Sequence, residues 1–174
     1  MGAVAVRLAT ADDVAQLPAI EAAAGEQFRT VPGLAFVADH DPSFAPEFID
    51  VAVAQDRVWV AEVDGALVGY ALGLDLGGQP HLEQVSVLPG HQGTGIGRAL
   101  IDQVSTWAAA VGGTSLTLAT FHDVPWNAPF YAHLGFVPIP EDEVLADADL
   151  LAVRADEGTH GLDPDTRVFM RRPV

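Results

Sequence analysis

The chain has 174 residues, 49% of them hydrophobic and only 18% charged, which excludes a disordered polymer and suits one packed globule. Its 24 acids face eight arginines and no lysine, for a formal net charge of −16; a surface of that sign repels nucleic acid and anionic membranes and attracts cations, protonated amines among them. The absence of cysteine rules out disulfides, thiolate metal sites and a cysteine nucleophile, and no apolar run reaches the roughly 18 residues of a membrane span.

The N-terminus lacks a basic leader, and Val6 stands where a myristoylation motif wants Ser or Thr, so a cytoplasmic protein is expected. Residues 4–8 alternate and are predicted as the first strand. Thr10 and Asp13 resemble a capping arrangement for a helix over residues 11–24, in which Pro18 is expected to make a kink. Residues 25–41 show little periodicity, and residues 46–54 suit a short helix with Pro46 in its first turn. Strands are predicted at 58–63 and 66–76 about an Asp64-Gly65 hairpin turn, and at 81–87 after the Gly77-Gly78 turn.

A helix from about Arg98 to Val111 places Leu100, Ile101, Val104, Trp107, Ala108 and Val111 on one core-facing stripe. Then come a strand at 116–120, a loop over 121–126, a short helix at 128–134 and a strand at Phe136. The acidic stretch 141–165 is partly helical, and residues 167–171 form a closing strand. The fold class is therefore α/β (α+β in some schemes), a mixed, mainly antiparallel central sheet flanked by helices. A single domain is expected over residues 1–174, with a core at about 4–140 and an acidic extension with its closing strand at 141–174.

Gln92-Gly93-Thr94-Gly95-Ile96-Gly97 lies between a strand and a helix start. Glycines there admit positive φ and a close ligand approach, and the first helical N–H groups are an anion cradle. A phosphate-binding loop of the Gly-Lys-Ser/Thr kind needs a lysine, and the dinucleotide fingerprint needs Gly-x-Gly-x-x-Gly near the first strand and an acid beyond the second; neither fits.

Gln92, Gly95 and Gly97 after this strand end resemble the acyl-CoA signature of the GNAT superfamily of N-acyltransferases. Asn127-Ala128-Pro129-Phe130-Tyr131-Ala132-His133-Leu134-Gly135-Phe136 is similar to a later block of that family, one helix and one strand further on. The resemblance implies an N-acetyltransferase with acetyl-CoA as cosubstrate and a primary amine, of a small molecule or a protein N-terminus, as acceptor. It implies CoA contacts from Val85, Ser86, Val87, Gln92, Gly93, Thr94, Gly95, Ile96, Gly97, Arg98, Asn127 and Phe130, with backbone groups of residues 85–87 meeting the pantetheine arm and thioester. It also implies that residues 25–41 form a wall over the acceptor site. Gln92 brings no charge where arginine is common in the family, so phosphate binding should lean on backbone amides, Arg98 and His91.

Acyl transfer to an amine needs a proton acceptor, a stabilised carbonyl oxygen and a proton donor for the departing thiolate. On a strand over 81–87, His81, Glu83, Val85 and Val87 share a face. Glu83 is the candidate base, its pKa expected to rise on burial, with a structural ion pair as the alternative reading; His81 is the reserve, because an ordinary histidine titrates near pH 7. Tyr131 corresponds to the family tyrosine that protonates the thiolate. Asn127 is read as a helix N-cap and as a CoA contact, two roles that can coexist. Glu26, Phe28, Arg29, His81, Asp123 and Trp126 are acceptor candidates, Asp123 for a cationic amine and Trp126 as a wall.

His81-x-Glu83 superficially resembles a zinc deaminase motif without its cysteines, and Asp147-x-Asp149 lacks the rest of a calcium loop. His40, His122 and His160 are scattered, and no metal is expected. A non-catalytic acyl-CoA-binding module and a structural protein are the rival readings, and a homodimer is left open.

Overall fold

A computed structural model describes every residue except Met1 and residues 40–43, so His40 lies outside the described residues. Among the described residues seven strands run in the order β1-β2-β3-β4-β5-β7-β6: β1 (Val4–Leu8), β2 (Val58–Val63), β3 (Ala66–Leu76), β4 (Gln79–Val87), β5 (Ser115–Phe121), β6 (Val137–Pro138) and β7 (Arg167–Pro173). Helices α1 (Leu17–Gly25), α2 (Ala35–Ala38), α3 (Pro46–Ala54), α4 (Ile96–Ala110), α5 (Ala128–His133), α6 (Glu141–Ala146) and α7 (Ala148–Thr159) flank the sheet. The chain divides into two compact units, Met1–Gly73 with Glu83–Trp107, and Leu74–Leu82 with Ala108–Val174.

In the first unit β1 pairs antiparallel with β2, from Val4 opposite Val63 to Leu8 opposite Trp59, and β2 pairs antiparallel with β3. The β2–β3 turn has φ of 51° at Asp64 and 80° at Gly65, the two positive values that match the twist of a two-residue hairpin. Helices α1 and α3 bury Leu17, Ile20, Ile49 and Ala52 against Val58, Val60, Tyr70 and Leu72. Helix α4 buries Leu100, Ile101 and Val104 completely, each worth about 1.5–3 kcal/mol of apolar transfer. Its Trp107 lies 6.0 Å from Trp59, and its ring stands 3.0 Å from where a Cβ on Gly73 would be. Arg7 on β1 ties the entry to α1: its guanidinium grips Asp13 through two bonds of 2.7 and 3.0 Å and Glu62 through one of 2.6 Å.

In the second unit β4 runs parallel to β5, with His81 opposite Thr117 and Leu82 opposite Leu118. Strand β7 lies antiparallel to β5 from Ser115–Pro173 to Phe121–Arg167, and β6 borders its other side. Between β6 and β7 the acidic stretch folds into α6 and α7, whose Val144 and Leu150 join Ile139 and Phe169 in a small separate core. Asp147 caps α7 by accepting from the N–H groups of Asp149 and Leu150.

Four expectations about elements are corrected. Residues 11–13 are a turn and Val14–Gln16 a 3-10 helix, so α1 starts at Leu17 and Pro18 sits in its first turn rather than kinking its interior. Proline fits there because first-turn N–H groups have no helical acceptor. Strand β4 starts two residues early, at Gln79, and α4 starts at Ile96, before the expected Arg98. The stripe of α4 ends before Val111, which lies beyond the helix and is 54% exposed.

Candidate active site

The glycine loop belongs to the first unit. Strand β4 ends at Val87, a 3-10 turn follows over Pro89–His91, and α4 begins at Ile96. The loop between them is fastened to its own ends: Gln92 Nε2 donates to the Val87 carbonyl at 3.0 Å, and Thr94 Oγ1 donates to the His91 carbonyl at 2.6 Å. Gly93 and Gly95 take φ of 71° and 91°, values an L side chain rarely adopts. No heavy atom lies within 4 Å of where a Cβ would stand on either of them.

Gln92, Gly93, Thr94 and Gly95 are exposed, whereas Ile96 is a buried anchor. The Ala99 N–H donates to the Gly95 carbonyl at 3.0 Å, so the amides of Ile96, Gly97 and Arg98 lie ahead of the first helical bond, where the dipole is positive. An exposed main chain with room beside it, at the head of a 15-residue helix, fits a diphosphate. Arg98 is 67% exposed and only 3.8 Å from Asp102, within reach of an anion at the helix head.

On β4, Glu83, Val85 and Val87 are half-buried and Ser86 is buried. Ser86 Oγ accepts from Gln84 Nε2 at 3.0 Å. The first unit also contains Glu26, Phe28 and Arg29. Glu26 and Arg29 are exposed and bond each other at 2.9 Å, and Arg29 reaches Asp39 at 2.7 Å. Phe28 is half-buried.

The second unit holds the remaining candidates. Helix α5 carries Phe130 and Tyr131 and follows Asn127. The expected side-chain N-cap is corrected: Asn127 makes no capping bond, and its Oδ1 instead accepts from Thr120 Oγ1 on β5 at 2.9 Å. That bond turns the side chain away from the α5 amides. Gly135, at φ 88°, ends α5, and the N–H of Phe136 donates back to the Tyr131 carbonyl at 3.1 Å. The Tyr131 ring meets Phe130 and Phe136 edge-on, at 5.3 and 5.7 Å. Burial raises its phenol well above the usual value, against a smaller opposing pull from the Arg167 charge.

His81 is also corrected. It is 1% exposed, its Nδ1 lies 2.8 Å from Thr117 Oγ1, and burial, aided by the Arg167 charge, lowers its pKa to about 4. It is a packed neutral imidazole rather than a group poised near pH 7. Asp123 is 90% exposed and bonds His122 Nδ1 at 2.8 Å, so its carboxylate already has a cation beside it when His122 is charged; that bond raises the His122 pKa. Trp126 is half-buried. A cavity of about 100 Å³ in this unit is lined by Gln79, Ser115, Thr117, Glu143, Asp147 and Arg171 among others, none of them an expected site residue.

Among the described residues no three His, Cys, Asp or Glu side chains cluster as a metal site would, and no helix is long and apolar enough to cross a membrane. Sequence reasoning passed over the bond between Glu21 and Tyr70, 49 residues apart; the one available signal was a tyrosine inside the apolar run of β3.

Residues 20–136 match the family model described as the acetyltransferase (GNAT) family. The chain belongs to that family. Solved structures agree in fold. The PaiA N-acetyltransferase of Thermoplasma acidophilum, in complex with coenzyme A, matches with a TM-score of 0.72 at 12% identity over 99% of each chain. The N-acetylglutamate synthase of Neisseria gonorrhoeae, complexed with coenzyme A and N-acetyl-glutamate, matches with a TM-score of 0.71 at 19% identity, covering 99% of this chain and 35% of that one. The ribosomal-protein-S18-alanine N-acetyltransferase of Escherichia coli matches with a TM-score of 0.64 at 15% identity over 99% and 94% of the two chains. This GNAT protein is thus a member of an acetyltransferase family whose cosubstrate is acetyl-CoA.

Proposed function

We propose that the protein is an N-acetyltransferase, folded as a single GNAT domain, that moves an acetyl group from acetyl-CoA to a primary amine by direct attack. The acceptor is a small-molecule amine or a protein N-terminus. The observation that carries the reading is the exposed loop of Gly93 and Gly95 at the head of α4, with positive φ and open space beside both. Bound acetyl-CoA supplies the activated thioester. In this reading the amides of residues 93–98 and Arg98 hold the diphosphate, backbone groups of residues 85–87 align the thioester, and Asn127 and Phe130 contact the arm.

Glu83 accepts the amine's proton. His81 is the poorer base, being buried and neutral with a pKa of about 4. Tyr131 donates to the departing thiolate. Its raised pKa keeps the phenol protonated throughout the working range, so this donor adds no falling limb to the rate profile below about pH 10.

Thiol release from acetyl-CoA across a panel of polyamines, amino acids, aminoglycosides and N-terminal peptides tests the activity. Glu83→Gln and Tyr131→Phe should each lower kcat by about 10²-fold or more while leaving acetyl-CoA affinity unchanged. A double variant that matches the wild type with a good amine removes both assignments. If acetyl-CoA binds and no amine is ever acetylated, the protein is a non-catalytic acyl-CoA-binding module.

A further inference from the structure

Side chains alternate along β5, so Ser115 and Thr117 stand on one face and Thr120, which holds Asn127, on the other. The cavity of about 100 Å³ lies on the Ser115 face, between the strands and the helices α6 and α7. It is therefore apart from the face that carries Asn127 and belongs wholly to the second unit.

Its walls bring both charges together. Glu143 comes from α6, Asp147 from the head of α7 and Arg171 from β7, where it pairs in register with Thr117. The Glu143 carboxylate accepts from two N–H groups of Arg171, at 2.5 and 3.2 Å. A guanidinium carries more donors than these, and no described residue engages the rest. Asp147 spends only Oδ1 on capping α7, at 2.9 Å from the Asp149 nitrogen and 3.1 Å from that of Leu150. Its Oδ2 makes no bond among the described residues. Gln79 is alike: Nε2 donates to the Ser115 carbonyl at 2.8 Å, and Oε1 accepts from no described residue. Both side chains are half-buried.

Glu143 and Arg171 offset each other, which leaves the Asp147 charge in excess. The unspent groups are thus acceptors on one side, Asp147 Oδ2 and Gln79 Oε1, and guanidinium donors on the other. An ammonium suits the first pair and a carboxylate the second, as charge-assisted bonds. Size narrows the ligand further. An apolar cavity of about 150 Å³ holds benzene, so about 100 Å³ suits roughly five heavy atoms. The smallest molecule bearing both an ammonium and a carboxylate, an α-amino acid with little side chain, has that size.

We propose that this cavity binds a small zwitterionic α-amino acid of the size of glycine or alanine, its ammonium held by Asp147 and Gln79 and its carboxylate by Arg171. The site is independent of the acetyltransferase reading and uses none of the residues assigned to catalysis.

The test is calorimetric titration with glycine and alanine up to about 10 mM, since so small a ligand binds no tighter than the micromolar range. Ethanolamine and acetate, each keeping one charged end, run beside them. Wild type should bind the amino acids with Kd below about 1 mM and each one-ended compound at least about tenfold more weakly. Asp147→Asn keeps a good helix cap but removes the charge; it should weaken glycine about tenfold or more, with the ligand-free thermal midpoint near wild type. Arg171→Gln should weaken it similarly. Glu83→Gln, altered at the proposed base, should bind glycine as wild type does.

No binding of glycine or alanine at about 10 mM, ethanolamine or acetate binding as well as glycine, or an unchanged Kd in Asp147→Asn or Arg171→Gln overturns the proposal. Glycine binding lost in Glu83→Gln and kept in Asp147→Asn also overturns it, and marks the amino acid as an acceptor at the catalytic site instead.

Discussion

Gly95 and Gly73 show how the same residue type serves two ends. At Gly95 the backbone has φ of 91° and empty space where a side chain would go. At Gly73 the ring of Trp107 occupies that space at 3.0 Å. Gly95→Val should therefore reduce CoA affinity at least tenfold by filling the cradle, while the strained φ costs only about 1–2 kcal/mol of stability. Gly73→Ala should do the reverse, lowering the thermal midpoint through a crowded indole and leaving CoA affinity near wild type. Calorimetric titration and thermal melts of the two variants measure both quantities, and a Gly95→Val protein with full affinity would contradict the placement of the diphosphate.

Strand β4 spans both units and holds a buried imidazole where it pairs with β5. The folded pKa of His81, about 4, lies below the unfolded value of 6.5, so the unfolded chain takes up a proton first as the pH falls. The stability that comes from keeping His81 neutral is complete above pH 6.5 and is lost progressively down to about pH 4. At pH 5 the loss is about 2 kcal/mol, visible as a lower thermal midpoint than at pH 7, and His81→Gln should flatten that window. Asp13, held below the usual carboxylate range by its bonds to Arg7, adds its own loss only at lower pH.

The elements most legible in the sequence were those with local punctuation. Residues 4–8 alternate, residues 58–63 and 66–76 flank the Asp64-Gly65 turn, and Pro46 opens α3 at its first turn. The glycine loop was equally readable, because positive φ and a helix head are written in adjacent residues. What escaped depends on partners distant in the chain. Asn127 forgoes its cap for Thr120 on β5, burial in the second unit moves the His81 pKa away from neutrality, and Glu21 meets Tyr70 across 49 positions. The short α2 had no periodicity to announce it.

For the molecule as a whole, a net charge of −16 should set different salt responses for the two substrates of the proposed reaction. Screening should raise the KM of a cationic amine as ionic strength climbs from about 0.01 to 0.5 M, because the attraction that concentrates it fades over a shorter Debye length. Acetyl-CoA, itself an anion, is repelled at long range, so its KM should stay level or fall over the same series. Initial rates at fixed pH with added sodium chloride decide this, and an amine KM that drops with salt would count against electrostatic capture.

The strand order of the second unit has a consequence for biosynthesis. Strand β7 sits between β5 and β6, yet it is made after both. While translation proceeds, β5 and β6 wait as open edges with no template between them, and only the last-made strand lets them zip together. A chaperone that shields unpaired edges during this interval should matter more for this half of the chain than for the hairpin of β2 and β3, which can close as soon as it emerges.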